Sequence, residues 1–387
     1  MTHKRARVLI VGMLDSIHTA RWLKLFSQDD IDFVLFPSTP NRRIHSQIKL
    51  LINSNGRSTY QIVPGMRTLA LPLGIADLFL GNRIRAKILQ MLIDKSQIDF
   101  DVVHAHETQH AGYLTSIAIR QLNKKPKFFL SIWGSDLYWF GQFKKHRIKI
   151  RTLLENIDQI ILECERDIKF AYKLGYNGTK PILVSASGGF DANEIDLGLR
   201  SPPPSERNVV LVKGYTGFVG RADLALKAIE SVSAELTDFK IIVYSTDVRT
   251  RQIIRQLRRT TNLQIESFKK HQLDHSSMLA LFRESRIHIG ISESDGMPGS
   301  LREAMLNGCI PIQTSTSCGD EWIKHLKTGF LVSVKNHYEI IEAIRIALTD
   351  HVLIDRAAEE NRIIALNHLA GKTIERKLKT LYHKIES

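Results

Sequence analysis

Cysteine is scarce in this chain: Cys164, Cys309 and Cys318 are the only three in 387 residues. They are too few and too scattered for a disulfide framework or a zinc site, which fits a reducing compartment. No run of about 18 apolar residues occurs, so no segment reads as a membrane span. The first apolar run, Val8 to Met13, is short and leads into Leu14-Asp15 without a small-residue cleavage pattern. It reads as a first strand rather than a signal peptide. Internal repeats and low-complexity tracts are missing too. Acid is in deficit: 40 Asp and Glu stand against 54 Lys and Arg, a formal charge of +14. Such an excess attracts something anionic: phosphorylated ligands, an anionic membrane surface or nucleic acid.

What is present is ordinary for a globular protein. Hydrophobic residues make up 43% and charged residues 24%, which excludes disorder, collagen and coiled coil as whole-chain descriptions. At roughly 150 residues per domain the length suggests two or three domains. Short β-branched runs alternate with longer amphipathic segments. Val8-Leu-Ile-Val-Gly12, Phe33 to Phe36, Asp101 to His104, Phe128 to Ile132, Gln159 to Leu162 and Ile182 to Val184 read as buried strands. The pattern implies βα units and a parallel sheet covered on both faces. It stops at Gly198-Leu-Arg-Ser-Pro-Pro-Pro-Ser-Glu-Arg207, where three prolines form a stiff spacer. It restarts at Val209 and runs through strands near 240–244, 265–267, 286–291, 310–312 and 330–332.

The expected fold is therefore α/β: two tandem doubly wound Rossmann-like domains facing a cleft. Residues 1–197 form the first, 198–207 a linker and 208–370 the second. A terminal helix over 371–387 carries Ile374, Leu378, Leu381 and Ile385 at helical spacing, and the first domain is the expected place for its apolar stripe to dock. In such sheets ligands bind beyond the carboxyl ends of the strands, where helix N-termini present free N–H groups.

Two constellations occupy those positions in the second half. One is Ser292-Glu-Ser-Asp295-Gly296-Met297-Pro298-Gly299-Ser300-Leu301-Arg-Glu303-Ala304, a Gly/Pro-rich loop leading into a helix near Ser300 to Asn307. The helix head suits a pyrophosphate, and Asp295 and Glu303 beside it suit hydroxyls of a sugar or ribose. Ser300-x-x-Glu303 also fits a capping box, which needs no ligand. The other is Val210-Leu-Val-Lys213-Gly214-Tyr-Thr-Gly-Phe-Val-Gly220-Arg221, a strand and Gly-rich turn bracketed by two cations. Lys213 and Arg221 suit a diphosphate, Arg by a bidentate grip; a solvated surface turn is the alternative.

These residues resemble the group 1 nucleotide-sugar glycosyltransferases, retaining enzymes of GT-B architecture. That family carries Glu, seven residues, Glu, then Ala and a helix ending at Gly before a Pro-containing strand. This chain has Asp295, seven residues, Glu303, then Ala304, Gly308 and Pro311; Asp295 is one methylene shorter than the family's first acid. The resemblance implies that Asp295 contacts the donor sugar and that Glu303 binds the nucleotide ribose. It also implies that the segment Gly296, Met297, Pro298, Gly299, Ser300 and Leu301, with Gly214, surrounds the donor. Lys213 and Arg221 correspond to the family's Arg and Lys with the types exchanged. Two fixed cations neutralise a leaving diphosphate without a divalent metal, so neither metal nor cofactor is expected, and the nucleotide sugar is a substrate.

The first half should hold the acceptor. Asp101-Val-Val-His104-Ala-His106 resembles the family's strand ending in His-x-His; alternation puts both rings on one strand face, where packing or the cleft can claim them. Trp133, in Ile132-Trp133-Gly134-Ser135-Asp136, stands where the family often has His, and it suits a sugar face. Asp136 suits either an acceptor hydroxyl or the cap of the following turn. Ser16 and His18 follow the first strand, Ser16 doubling as a helix cap. Leu137 to Arg151 interleaves aromatics with cations and suits either an anionic bilayer, next to a lipid-linked acceptor, or solvent as a basic helix.

The expected function is transfer of a sugar from a nucleoside diphosphate to an acceptor hydroxyl, with retention, in cell-envelope polysaccharide or glycolipid synthesis. The expected place is the cytoplasm, peripheral to the inner face of the membrane. A nucleotide-sugar epimerase or an inactive transferase-like scaffold is the first alternative. A basic nucleic-acid-binding protein is the second, although no recognition helix, zinc finger or RNA-binding motif occurs and no specific nucleic acid is expected.

Overall fold

The computed structural model describes residues 5–95, 98–185, 188–378 and 380–382. The chain divides into two compact units: one holds the residues up to Gly189 together with those from Gly371 onward, the other Phe190–Ala370. Each is a parallel sheet with helices on both faces.

In the first unit the strands are β1 (Ala6–Gly12), β2 (Ile31–Pro37), β3 (Thr59–Ile62), β4 (Val102–His106), β5 (Lys127–Ser131), β6 (Gln159–Leu162) and β7 (Ile182–Leu183). They lie in the order β3-β2-β1-β4-β5-β6-β7. Side chains alternate across the pleat. Leu9 and Val11 of β1 enter one buried cluster with Val103, Ala105 and Leu130, while Val8 and Ile10 enter the cluster on the other face with Trp22 and Phe33. Burial on both faces explains why these strands read as continuous apolar runs.

The second unit contains β8 (Val209–Lys213), β9 (Lys240–Thr246), β10 (Gln264–Lys269), β11 (Ser285–Gly290), β12 (Ile310–Thr314) and β13 (Phe330–Val332). Their order is β10-β9-β8-β11-β12-β13. The strand order reverses between β1 and β4 in the first sheet and between β8 and β11 in the second. Those reversals, at the carboxyl edge, are where such folds bind ligands.

The units divide earlier than residues 198–207. Asp191 caps the helix Ala192–Leu199 through a reciprocal box with Glu194, and that helix already belongs to the second unit. Only the last of the three prolines is packed: Pro202 and Pro203 are exposed, Pro204 is buried, and Ser205 gives its N–H (3.0 Å) and hydroxyl (2.6 Å) to Asp355. Chain exit and return coincide, because the Phe190 N–H bonds the Leu369 carbonyl at 2.9 Å and Phe190 bridges Ala370. The terminal helix spans Gly371–Leu378. Ile374 and Leu378, then Leu381 and Tyr382 beyond it, complete one core cluster of the first unit. Ile385 lies outside the described residues.

Candidate active site

In the second unit the two constellations meet beyond the ends of β8 and β11. Gly220 pairs with Ser292 in an isolated antiparallel bridge. The Glu293 N–H bonds the Val219 carbonyl at 2.8 Å and the Arg221 N–H bonds the Ile291 carbonyl at 3.0 Å. This clip joins the Gly-rich turn to the loop after β11. It brings the Lys213 ammonium to 3.5 Å from the Asp295 carboxylate, with Lys213 also over the Tyr215 ring. Lys213 sits at the last position of β8 and is only 19% exposed in its side chain. Burial alone would lower its pKa, but Tyr215 and Asp295 beside it prevail and hold it above the ordinary lysine value.

The helix after the acid loop runs Gly299–Leu306 with Pro298 at its N-cap, which makes no side-chain cap bond. Ser300 is therefore the second helical residue, not the cap, and the capping-box alternative is removed. The orphan N–H groups of a first turn attract an anion. Leu301 and Met297 are buried and anchor this head in a core cluster, while Asp295 accepts the Gly296 N–H at 3.0 Å. Gly299 is the open side: a Cβ there would meet nothing nearer than Arg302 at 3.8 Å. Gly214 is the closed side. Its Cβ would meet Val243 at 2.5 Å, so glycine is required for the turn to lie on β9.

The turn itself is less available to an anion than its glycines suggest. Asp247 accepts the Thr216 N–H (2.6 Å), the Thr216 hydroxyl (2.9 Å) and the Gly217 N–H (3.2 Å). Burial opposes ionisation of Asp247, but the N–H groups of Thr250 and Thr216 outweigh it and hold the carboxylate below its usual range. Arg221 is likewise engaged, bonding Asp223 and Glu293, each at 3.0 Å. Glu303 is 15% exposed in its side chain and lies 3.8 Å from Nδ1 of His275, whose Nε2 sits 2.8 Å from Glu194. His275 and Glu194 escape a reading of the sequence: they belong to other helices, and only the packing of those helices brings them to Glu303.

The first unit places its predicted residues in two groups. Ser16 caps the helix Ile17–Leu25 by accepting the His18 N–H at 3.2 Å. The His18 ring packs on Trp133 at 5.0 Å, so two residues predicted from separate loops meet beyond β1 and β5. His106 and Asp136 are withdrawn instead. His106 is 2% exposed, packs edge-on against Trp22 and His104, and is pushed down to about 3 by burial. Asp136 is buried and accepts the Thr108 N–H at 2.9 Å and the Trp133 N–H at 3.0 Å. Burial, then the neighbouring Glu107, raises its pKa. Both N–H groups precede Asp136 in the chain, so these bonds tie two loops together and do not cap the turn that follows. His104 is fully packed, its Nδ1 2.6 Å from the Tyr382 hydroxyl and its Nε2 2.9 Å from Ser131.

Comparison with known proteins agrees with this architecture. Residues 7–164 match the family described as glycosyl transferase 4-like, and residues 200–363 match the glycosyl transferases group 1 family. No curated protein sequence matches the chain. Among solved structures it is similar to a glycosyltransferase from Rickettsia africae, at 16% identity over 99% of each chain with a TM-score of 0.67. Anabaena HepE in complex with UDP-glucose aligns at 14% identity over 97% of this chain and 99% of that one, TM-score 0.68. The trehalose 6-phosphate synthase of Burkholderia multivorans aligns at 12% identity over 99% of each, TM-score 0.70. At these identities the likeness is one of fold: two Rossmann-like units of GT-B type. With both halves matched to glycosyltransferase families, the chain belongs to the group 1 glycosyltransferases.

Proposed function

We propose that this glycosyltransferase moves a sugar from a nucleoside diphosphate to a hydroxyl of a glycan or lipid-linked acceptor, with retention at the anomeric carbon and without a metal. The observation that carries this reading is the Lys213–Asp295 pair beside an uncapped helix head, held by the Gly220–Ser292 bridge. Glu303 bonds the ribose hydroxyls and Asp295 a sugar hydroxyl. The Lys213 ammonium and the head of Gly299–Leu306 bind the diphosphate. As the bond from the anomeric carbon to the phosphate oxygen breaks, negative charge grows on that oxygen, and fixed donors there lower the barrier. The acceptor oxygen bonds the anomeric carbon on the same face, and its proton passes to the departing phosphate. Arg221, engaged by Asp223 and Glu293, holds the turn in register with the acid loop and supplies positive field at longer range. The HepE complex with UDP-glucose supports a nucleoside diphosphate sugar as donor. Trp133 and His18 form the acceptor-side surface, and the setting is cytoplasmic envelope polysaccharide or glycolipid synthesis.

A panel of nucleoside diphosphates and nucleotide sugars tests the reading by thermal shift, because a ligand of the folded state raises the midpoint. At least one member should stabilise the full chain, and Lys213→Ala should lose that stabilisation. No shift with any member, together with unchanged turnover in Glu303→Ala, would remove the assignment.

A further inference from the structure

The first unit exposes an apolar helix that the donor reading does not use. Helix Ala70–Leu80, ALPLGIADLFL, buries only Ala70 and Leu73. Leu78 is 82% and Phe79 81% exposed, and Leu71, Ile75 and Leu80 are exposed beside them. Contiguous large apolar side chains on a surface mark a contact. The helix's single acid, Asp77, is turned inward to Arg85 at 2.6 Å, so its outer face carries no negative charge. Cations frame it. Arg67 precedes the helix and Arg83 follows it, both exposed. Exposed Arg42 and Arg43 stand in the loop at Pro40, which lies against the helix: a Cβ at Gly74 would meet Pro40 at 3.3 Å.

We infer that this face docks on an anionic bilayer, with Leu71, Ile75, Leu78, Phe79 and Leu80 at the acyl boundary and Arg42, Arg43, Arg67 and Arg83 among the head groups. An apolar face rimmed by cations is what an interfacial helix requires. The element is too short to span, and no described helix is long and apolar enough to cross a membrane. A second copy fits less well, because a two-fold contact would set the arginine rims against each other. The aromatic and basic stretch Leu137 to Arg151 offers less for such a contact: its exposed large apolar residues are only Phe143 and Ile148. Its rings pair internally, Trp139 with Phe143 and Phe140 with His146, and Arg147 is spent on the Gly141 and Gln142 carbonyls.

The test uses the full chain without nucleotide, so it stands or falls separately from the donor reading. Co-sedimentation is measured with vesicles of phosphatidylglycerol mixed with phosphatidylcholine, and with phosphatidylcholine alone. Binding should require the anionic lipid. The double variants Leu78→Gln/Phe79→Gln and Leu71→Gln/Ile75→Gln should each bind about tenfold or more weakly, as should Arg42→Gln/Arg43→Gln. All six positions are exposed, and an unchanged melting midpoint checks the fold. Lys144→Gln/Lys145→Gln should bind as the native chain does. Equal binding to neutral vesicles, loss of binding only in the Lys144/Lys145 variant, or a dimer in lipid-free sedimentation velocity that the Leu78/Phe79 variant abolishes would each overturn the inference.

Discussion

In the loop after β5, one carboxylate oxygen of Asp136 accepts two backbone N–H groups, of Thr108 and Trp133; in the loop after β11, Asp295 faces the Lys213 ammonium at 3.5 Å. Both acids follow a strand at the carboxyl edge of a parallel sheet, and both come from short Gly-containing motifs. The first is buried, pushed toward its neutral form, and fastens two loops together. The second is partly exposed and lies beside a cation and a helix head whose N-cap is Pro298. The same pattern separates the histidines and lysine: His106 at the end of β4 is a neutral core ring, whereas Lys213 at the end of β8 stays charged. A strand end offers a position for chemistry; whether a polar group there is available depends on what its neighbours already ask of it.

The largest effect should come from the second unit. Lys213→Ala or Glu303→Ala is expected to lower kcat/KM at least about a hundredfold, close to 3 kcal/mol of transition-state stabilisation, with the circular dichroism spectrum retained. Turnover within a factor of a few of the native chain in both would erase the contrast. Asp136→Ala should do the reverse. It strands two N–H groups, one of them fully buried, and should cost about 2–4 kcal/mol of stability, read from denaturant unfolding. Activity per folded molecule should fall far less than in the Lys213 variant.

Acid should expose the first unit's neutral histidines. His106 has a folded pKa near 3 against about 6.5 unfolded, so its contribution is intact above pH 6.5 and is lost as pH falls toward 3. Stability should drop by about 1.4 kcal/mol per pH unit for this group alone. His104 is pushed the same way and His288, in the second unit, also goes to about 3. Asp136, raised by burial, opposes the trend because its folded form takes up a proton more readily. The His106→Asn variant should show a shallower loss of melting temperature between pH 6.5 and 4. An unchanged slope would mean that this ring is protonated in the folded state.

The alternation of strands and helices was legible because strands buried on both faces must be β-branched runs. Edge strand β3, Thr59-Tyr60-Gln61-Ile62, was not: its polar–apolar alternation lasts only four residues, and only Tyr60 is buried. The proline run signals extended backbone, which Pro203 adopts, yet backbone conformation does not say whether Pro204 and Ser205 find a surface to pack on. The two loop motifs of the second unit were legible as local strings, since Lys213, Gly214 and the Pro298–Leu301 helix head each follow from turn and helix-start chemistry. Their meeting was not, because the Gly220–Ser292 bridge joins segments distant in sequence. Nor was the fate of Asp136 and His106 readable. Trp133 is local to Asp136, but Thr108 and Trp22 reach Asp136 and His106 only through sheet order and packing.

Arg221 sits between the two behaviours and gives the smallest and sharpest test. It lies in the constellation proposed for the donor, yet its guanidinium already bonds Asp223 and Glu293, as Asp136 bonds its loops. Hydrogen bonds to Asp223 act first, burial opposes them and Glu293 adds to them, leaving the arginine pKa raised. If its work is to hold the turn, Arg221→Ala should lower kcat/KM about tenfold or less, mostly through KM, because a loosened turn misplaces Lys213 without removing it. Glu293→Gln, which weakens the same tie from the other side, should give a similar loss, and the two losses should not add. A loss in Arg221→Ala as large as that in Lys213→Ala, carried by kcat and absent from Glu293→Gln, would instead put the guanidinium on the departing diphosphate.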